Sequence, residues 1–378
     1  MSKKYLRAFR SRIRSLLKNS RIRTLKRELL RWFRSTQDGY GPSIWKSGDV
    51  PGISRHRNLK SIAPRSVWMV ESLEQRVMLA ADLVYPTGVS DLTLAYDATQ
   101  LKFQLLDPAN NNSVVSDANA SEATSGGIFV TGTVDADVLR LDWASLKQAG
   151  SQFSIEFDNL GPDTITVAAD TDFNLAGSTL TVGTTVFKLT GFGRVELTGG
   201  VSANAFTFGD IALESTVSAD GGGGADSIIS STPDNAWNIG LGDTKSNAGT
   251  LGESIAFTSI ENIIGGTGID VFTFADGTSV SGTIDGGNGS NGFDYSAYST
   301  AVTVNLSTQN ATGTGKALNI SSFVGGAASD TIVGTGADAM WRIDGADSGS
   351  VEGVVEFTSI ENLTGSAVAN DFFVIEKD

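Results

Sequence analysis

Phe257-Thr-Ser-Ile-Glu-Asn262 runs directly into Ile263-Ile-Gly-Gly-Thr-Gly-Ile-Asp-Val-Phe-Thr-Phe274, and the same six residues return one hundred positions later at Phe357 to Asn362. A chain that repeats itself is built of stacked units. Aligning on the glycine that opens each turn adds Gly199 (GGVSANAFT), Gly221 (GGGGADSII), Gly286 (GGNGSNGFD) and Gly325 (GGAASDTIV) to Gly265 (GGTGIDVFT) and Gly365 (GSAVANDFF). Successive starts differ by 22, 44, 21, 39 and 40. These gaps divide into steps of roughly 20 to 22 residues, the scale of one solenoid repeat.

The runs between the glycines are short and alternating, as in Thr164-Ile-Thr-Val, Thr179-Leu-Thr-Val and Val186-Phe-Lys-Leu. A four-residue strand cannot bury a face alone. Wound into parallel coils, each strand pairs with its counterpart one coil earlier and the inward residues form a continuous apolar column. The expected fold is therefore all-β. It is a parallel β-solenoid of the β-helix or RTX-like kind over residues 126–378, preceded by a small antiparallel β cap at 83–125 and a basic helical leader. Phe257, Ile260, Ile263, Phe272 and Phe274, with Phe357, Ile360, Leu363, Phe372 and Val374, are its expected core. Only Trp143 to Gly150 reads as a helical turn within the body, and Asp117 to Gly127 reads as loop. The rival architecture is a series of antiparallel β-sandwiches of about 90 to 100 residues, the distance between the two FTSIEN copies. The glycine corners recur at about a fifth of that distance, which favours the solenoid.

Charge divides the chain. Residues 1 to 76 carry 19 Lys+Arg against 5 Asp+Glu, and the remainder carries 9 against 37, so a leader of +14 precedes a body of -28. Within residues 1–34, Leu6, Phe9, Ile13 and Leu16, then Ile22, Leu25, Leu29 and Phe33, fall at helical spacing. Such basic, apolar-faced helices are drawn to anionic lipid, which favours a surface-active or export-related leader over a solvated tail. Nucleic-acid binding has no aromatic platform or finger spacing behind it. Residues 35–66 are rich in Ser, Gly, Pro and Arg and read as a linker. No run of about 18 apolar residues exists to span a membrane.

With no cysteine and a single histidine, His56, in the linker, thiolate metal sites and histidine-based catalysis are excluded from the body. Paired carboxylates for glycoside cleavage are conceivable, yet each acid has a turn or exposed-strand explanation. A polysaccharide-active β-helix enzyme or a carbohydrate-binding module is thus the alternative to a non-enzymatic reading.

Between leader and body stands Val67-Trp-Met-Val-Glu-Ser-Leu-Glu-Gln-Arg-Val-Met-Leu-Ala-Ala-Asp82. This segment, 67–82, resembles the LEPR-XLL motif of very large bacterial surface proteins. The matching residues are Leu73, Glu74, Arg76, Leu79, Ala80, Ala81 and Asp82; Gln75 stands in place of proline and Met78 in place of leucine. A short amphipathic helix ending at Asp82 is the plain alternative. The resemblance implies a targeting role, and hence an exported protein at the cell surface or outside the cell. The order of Trp237-Asn-Ile and Trp341-Arg-Ile, FTSIEN and glycine corners resembles the degenerate repeats of large RTX-like and adhesin-like proteins. The implied function is a non-enzymatic structural or adhesive segment that meets a polysaccharide or cell-surface partner.

The calcium-binding RTX nonapeptide is GGxGxDxUx, in which turn carbonyls and the aspartate supply hard oxygen ligands. Gly221 to Ile229, with Asp226, and Gly265 to Thr273, with Asp270, match it fully. Gly325 to Val333 keeps Asp330, and Gly286 to Asp294 has Asn291 in the aspartate place. Calcium shared between neighbouring coils would use Asn204 with Asp226 and Asp270 with Asn291, one carboxylate per pair. The rival to calcium at these five residues is plain turn chemistry, in which Gly and Asp permit the corner. After FTSIEN at 357–362 no polar closing strand follows. The last coil is therefore expected to be uncapped, either continued in a longer product or associating with another chain.

Overall fold

The computed structural model describes residues 81–133, 135–157, 163–211, 216–242 and 244–376. The leader at 1–34, the linker at 35–66 and residues 67–80 of the LEPR-XLL-like segment lie outside them. The protein is all-β, with 54% strand and 5% helix. Its strands are short because the chain alternates strictly: Thr164–Ala168, Thr179–Val182 and Thr185–Thr190 bury every second residue while the others face outward. Ala81 and Asp82, which close the LEPR-XLL-like segment, lie in the strand Ala81–Val84 and not at the end of a helix.

One sheet begins with Ala81–Val84, Ile128–Thr131 and Gln152–Phe157 in parallel, and Gln152–Phe157 in turn pairs with Thr185–Thr190. Antiparallel pairings through Thr179–Val182 to Phe173–Gly177 carry it on. From there Ala205–Ile211, Ser227–Ser230, Asn262–Ile264, Val280–Asp285 and Thr314–Leu318 stack in parallel. A second sheet stacks Asp91–Asp97, Val138–Leu141, Thr164–Ala168, Arg194–Thr198, Thr216–Asp220 and Ile255–Thr258 in parallel. It passes through Thr244–Leu251 to Asn235–Leu241, then adds Asp270–Phe274, Gly292–Asp294, Ser322–Val324 and Val355–Thr358. Ser348–Val351, Ala339–Gly345 and Asp371–Ile375 complete it. Thr303–Asn305, Thr331–Val333 and Asn362–Thr364 make a third, parallel stack. Buried side chains of all three sheets form one continuous apolar cluster.

One passage of the chain between strands paired in the same stack is a rung, and each glycine corner is a crossing from one sheet to another. Some rungs have the expected length: Val195 pairs with Val217, 22 residues on, and Ile263 with Ile284, 21 on. Others are longer, as Val217 pairs with Ile255, 38 residues on, and Phe323 with Phe357, 34 on. The excess is an antiparallel hairpin, Asn235–Leu241 with Thr244–Leu251 and later Ala339–Gly345 with Ser348–Val351. The gaps of 44 and 40 residues between glycine starts each hold one of these hairpins and the gap of 39 holds the short antiparallel pair Thr303–Asn305 with Asn310–Ala311, so none is a pair of equal steps.

The hairpins also explain the hundred-residue repeat. In each copy the Trp strand pairs with a return strand, and the return strand with the FTSIEN strand. Gly249 and Gly349 sit where an added Cβ would lie 2.7 and 2.9 Å from the ring of Phe257 and Phe357. Trp237 stacks on Phe272 with centroids 5.8 Å apart, and Trp341 on Phe373 at 5.3 Å. The second pairing corrects the expected core. Phe373 and Ile375, not Phe372 and Val374, occupy the places of Phe272 and Phe274, because the last corner is one residue longer and such a slip exchanges the faces of a strand. Phe257, Ile260, Ile263, Phe272, Phe274, Phe357 and Ile360 are buried, while Leu363 is only partly covered.

At the start of the described body, Asp91–Asp97, Lys102–Asp107 and Ser113–Asn119 form an antiparallel meander. The helix Ala120–Gly126 follows, within a stretch that reads as loop from sequence. The second helix is Trp143–Ala149, started by Asp142, whose Oδ1 accepts the Ser145 N–H.

Candidate functional site

FTSIEN is half strand and half corner. Phe257 and Thr258 end Ile255–Thr258, Ser259 takes a left-handed φ of 55°, and Asn262 opens the next strand. Ser359 repeats this at 54°. Asn319 does the same at 55° in Leu318-Asn-Ile-Ser-Ser-Phe323, a third copy too altered in sequence to be seen without the fold. Corners stack in register: the Gly199 N–H donates to Asp220 O and the Gly221 N–H to Thr258 O. In the same way Gly265 donates to Asp285 O, Gly286 to Leu318 O and Gly325 to Thr358 O. FTSIEN thus lies directly over the corner of the preceding rung.

The structure brings together the pairs expected from sequence. The Asn204 N–H donates to Asp226 Oδ1 at 2.7 Å, and the Asp270 N–H to Asn291 Oδ1 at 3.0 Å. All five expected metal residues, Asn204, Asp226, Asp270, Asn291 and Asp330, are buried. Most of their oxygens serve the backbone. Asn204 Oδ1 accepts the Gly200 N–H at 2.7 Å, Asp270 Oδ2 the Gly266 N–H at 2.8 Å, and Asp330 Oδ2 the Gly326 N–H at 2.6 Å. Asp330 Oδ1 takes the Val302 N–H at 2.6 Å from the neighbouring rung. One carboxylate therefore closes its own turn and pins the next, through charge-assisted hydrogen bonds of the strong class.

Sequence reasoning missed the other half of these contacts. Glu261 Oε2 accepts the Asp226 N–H at 2.8 Å and Glu361 Oε2 the Asp330 N–H at 2.7 Å, so the FTSIEN glutamate caps the aspartate below it. Asp137, in Gly132-Thr-Val-Asp-Ala-Asp137, accepts the Thr133 N–H and gives its own N–H to Asp163 Oδ1 at 3.1 Å. Asp371 accepts the Ser366 N–H. The usable signal was an acid four or five residues after a corner position, whether or not the glycines are present.

The first glycine of each corner is required for space. None of Gly199, Gly221, Gly265 and Gly325 has a left-handed φ. A Cβ at each would lie 2.6 Å from its own corner's Asn or Asp oxygen. It would lie as close or closer to the carbonyl oxygen of Gly221, Ser259, Gly286 or Ser359 on the adjoining rung.

Asp226 departs from the pattern. Gly222, at φ 82°, turns its N–H to Asp220 Oδ1, and Asp226 Oδ2 is left buried without a hydrogen-bond partner. Burial is the largest cause pushing its carboxyl above the ordinary 3.8, with Glu261, Asp170 and Asp220 adding repulsion. Asp270 is also raised by burial, against the Asn235 and Gly266 donors. A folded pKa above the unfolded value means that the native state holds the proton more tightly. Stability falls as pH rises from 3.8 through the folded values, and the full cost is present at neutral pH. Melting temperature is expected to rise on acidification from pH 7 towards 4. Asp226→Asn, which keeps the acceptor for Asn204 and removes the buried charge, should stabilise at pH 7 by about 1–3 kcal/mol and flatten that rise. An unchanged pH slope in the variant would refute this account of Asp226.

No group of three or more His, Cys, Asp or Glu side chains able to hold a metal occurs among the described residues. A shallow groove of about 350 Å³ beside Phe208, Ser230 and Leu251 carries Asp210, Asp234 and Glu253. Within it Asp234 Oδ1 already accepts the Ile269 N–H at 2.7 Å. No protein-family model matches the chain, no curated protein matches it, and no solved structure matches it.

Proposed function

We propose that the chain is a non-enzymatic structural or adhesive segment of an exported bacterial surface protein, with its body a parallel β-solenoid that presents an acidic surface to a polysaccharide or cell-surface partner. The observation that carries the reading is the vertical register of the corners, in which buried Asp, Asn and Glu side chains tie one rung's backbone to the next. Most pairings between rungs are parallel, with the antiparallel ones falling in the Phe173 to Thr190 meander and in hairpins, which supports a solenoid over antiparallel sandwiches. Export rests on the LEPR-XLL-like segment and the basic leader. Fractionating cells and treating intact cells with protease tests it: surface digestion is expected, and a protease-resistant cytosolic chain would contradict it.

A second reading, calcium at a corner, is favoured at one place by the partnerless Asp226 Oδ2. A cation there would supply the missing partner and relieve the repulsion from Glu261 and Asp170. Millimolar calcium is then expected to raise the melting temperature of the wild type and not of Asp226→Asn. The same melting curve in calcium and in chelator removes calcium from the account. For the enzymatic alternative the measurement is saccharide release from acidic and neutral polysaccharides, expected to be nil. Release lost on substitution of Asp210 or Glu253 would overturn the scaffold reading.

A further inference from the structure

The groove beside the first hairpin is bounded by the end of Ala205–Ile211, by residues 230–236 leading into the Trp237 strand, and by the turn 251–255 that leaves the return strand. The second hairpin repeats the last two of these, and the comparison separates scaffold from site. Asp234 is kept as Asp338, and both bond alike: Asp234 Oδ1 accepts the Ile269 N–H and Asp338 Oδ1 the Asn370 N–H. The other polar residues are not kept. Gly334, Gly336 and Ala339 stand in the places of Ser230, Thr232 and Asn235, and Gly353 in that of Glu253. The second hairpin forms without them, so they are not needed to build the first. They also carry a cost. The Ser230 and Thr232 hydroxyls converge on Asn235 Oδ1, and Asn235 Nδ2 takes Asp270 Oδ1. The buried Trp237 Nε1 is thereby left without the acceptor that Trp341 finds in Asp371. A polar network that the frame does not need, and that orphans an indole N–H, marks a site.

We propose that this groove binds an amine-bearing polysaccharide, of the glucosamine type, through Asp210 and Glu253. This deepens the polysaccharide reading above and rests on it. Among the described residues the two carboxylates, both exposed at the rim, have no hydrogen-bond or ion-pair partner, and no Lys or Arg lines the groove. The lining decides the class of ligand. With their protons on Asn235, the Ser230 and Thr232 oxygens are left to accept, and the Asn235 amide protons are spent on Asp270 Oδ1 and Thr232 O. Carboxylates only accept as well, so these side chains suit a donor-rich ligand and repel uronates and sulfates. A protonated amino sugar brings an ammonium for the carboxylates and neighbouring hydroxyl donors for Ser230 and Thr232, whereas a lysine brings its donors to one point. The groove's volume of about 350 Å³ is at the small end of ligand pockets and holds a short stretch of the chain. The body of -28 draws the rest of such a polycation towards it.

Calorimetric titration of the full chain with a chitosan oligosaccharide tests it, beside the N-acetylated oligosaccharide, an alginate oligosaccharide and oligolysine. The doubly substituted Asp210→Asn, Glu253→Gln chain is compared with Asp344→Asn, Glu352→Gln, which removes the same charge at exposed positions on the second hairpin. All four positions are exposed, so both melting curves should match the wild type. The expected result is binding of the chitosan oligosaccharide that weakens at least about 10-fold in the groove variant and less than about 2-fold in the hairpin variant. The acetylated and the acidic sugars should give no heat. No binding of chitosan, equal weakening in the two variants, which would make the attraction a property of the whole acidic surface, or tighter binding of oligolysine would each overturn the assignment. None of these three touches the scaffold reading. Cleavage of the oligosaccharide into shorter products would instead overturn the non-enzymatic reading on which the assignment rests.

Discussion

Gly325→Ala is expected to lower the melting temperature by on the order of 10 °C and to cost about 3–5 kcal/mol, far more than an ordinary glycine replacement. The added methyl would fall inside the carbonyl oxygen of Ser359 and 2.6 Å from Asp330 Oδ2, and both are fixed. Ser359 is held in a left-handed corner conformation, and the Asp330 carboxylate is held by the Val302 and Gly326 N–H groups. Relief requires the two rungs to separate, which breaks the Gly325 to Thr358 hydrogen bond and the contacts that depend on it. Gly353→Ala is the control. It has a left-handed φ of 72° with nothing near the added methyl, so its cost should be only about 1 kcal/mol. Thermal melting of the two variants side by side checks the difference, and equal losses would mean that the corner is not closed by rung contact.

Asp330→Ala should be as damaging by a different route. It leaves the Val302 and Gly326 N–H groups buried without acceptors, at about 3–5 kcal/mol for the pair of charge-assisted bonds. Asp330→Asn keeps one acceptor and turns an N–H₂ towards the second N–H, so it should recover only part of the loss. The contrast with Asp226→Asn is the informative one, because the same substitution is expected to destabilise at 330 and to stabilise at 226. The two corners differ at the third glycine, Gly224 against Ala328, and in where the second glycine aims its N–H. Asp344→Ala, at an exposed residue bonded only to Ser348 Oγ, should change stability by no more than about 0.5 kcal/mol.

Alternation of apolar residues and the glycine spacing carried most of the fold, since a period of two and a short strand leave few ways to bury a face. Asn204 opposite Asp226 and Asp270 opposite Asn291 were legible for the same reason: each pair is separated by one unlengthened rung. The hairpins were not legible, because Thr244–Leu251 is polar and glycine-rich and carries no strand period of its own. Their insertion changed which corners stack, and hid Glu261 over Asp226 and Glu361 over Asp330 behind separations of 35 and 31 residues. The one-residue slip before Asp371 was hidden too, since Phe372 and Phe373 are the same residue type and only pairing with Trp341 decides which faces inward. One indole shows how small changes are absorbed. Trp341 Nε1 donates to Asp371 Oδ1 at 3.0 Å, whereas in the earlier copy Asn235 occupies Asp270 Oδ1 and the buried Trp237 Nε1 has no acceptor.

The corner carboxylates hold the rungs together by accepting backbone N–H groups. Residue-resolved amide hydrogen exchange in the presence of a chelator measures this directly at Asn204, Asp226, Asp270, Val302, Gly326 and Asp330. These corner amides are expected to be protected as strongly as those of Asp270–Phe274 and unchanged by added calcium at every corner but that of Asp226. Rapid exchange in chelator at Val302, Gly326 and Asp330, slowed only when calcium is added, would contradict it.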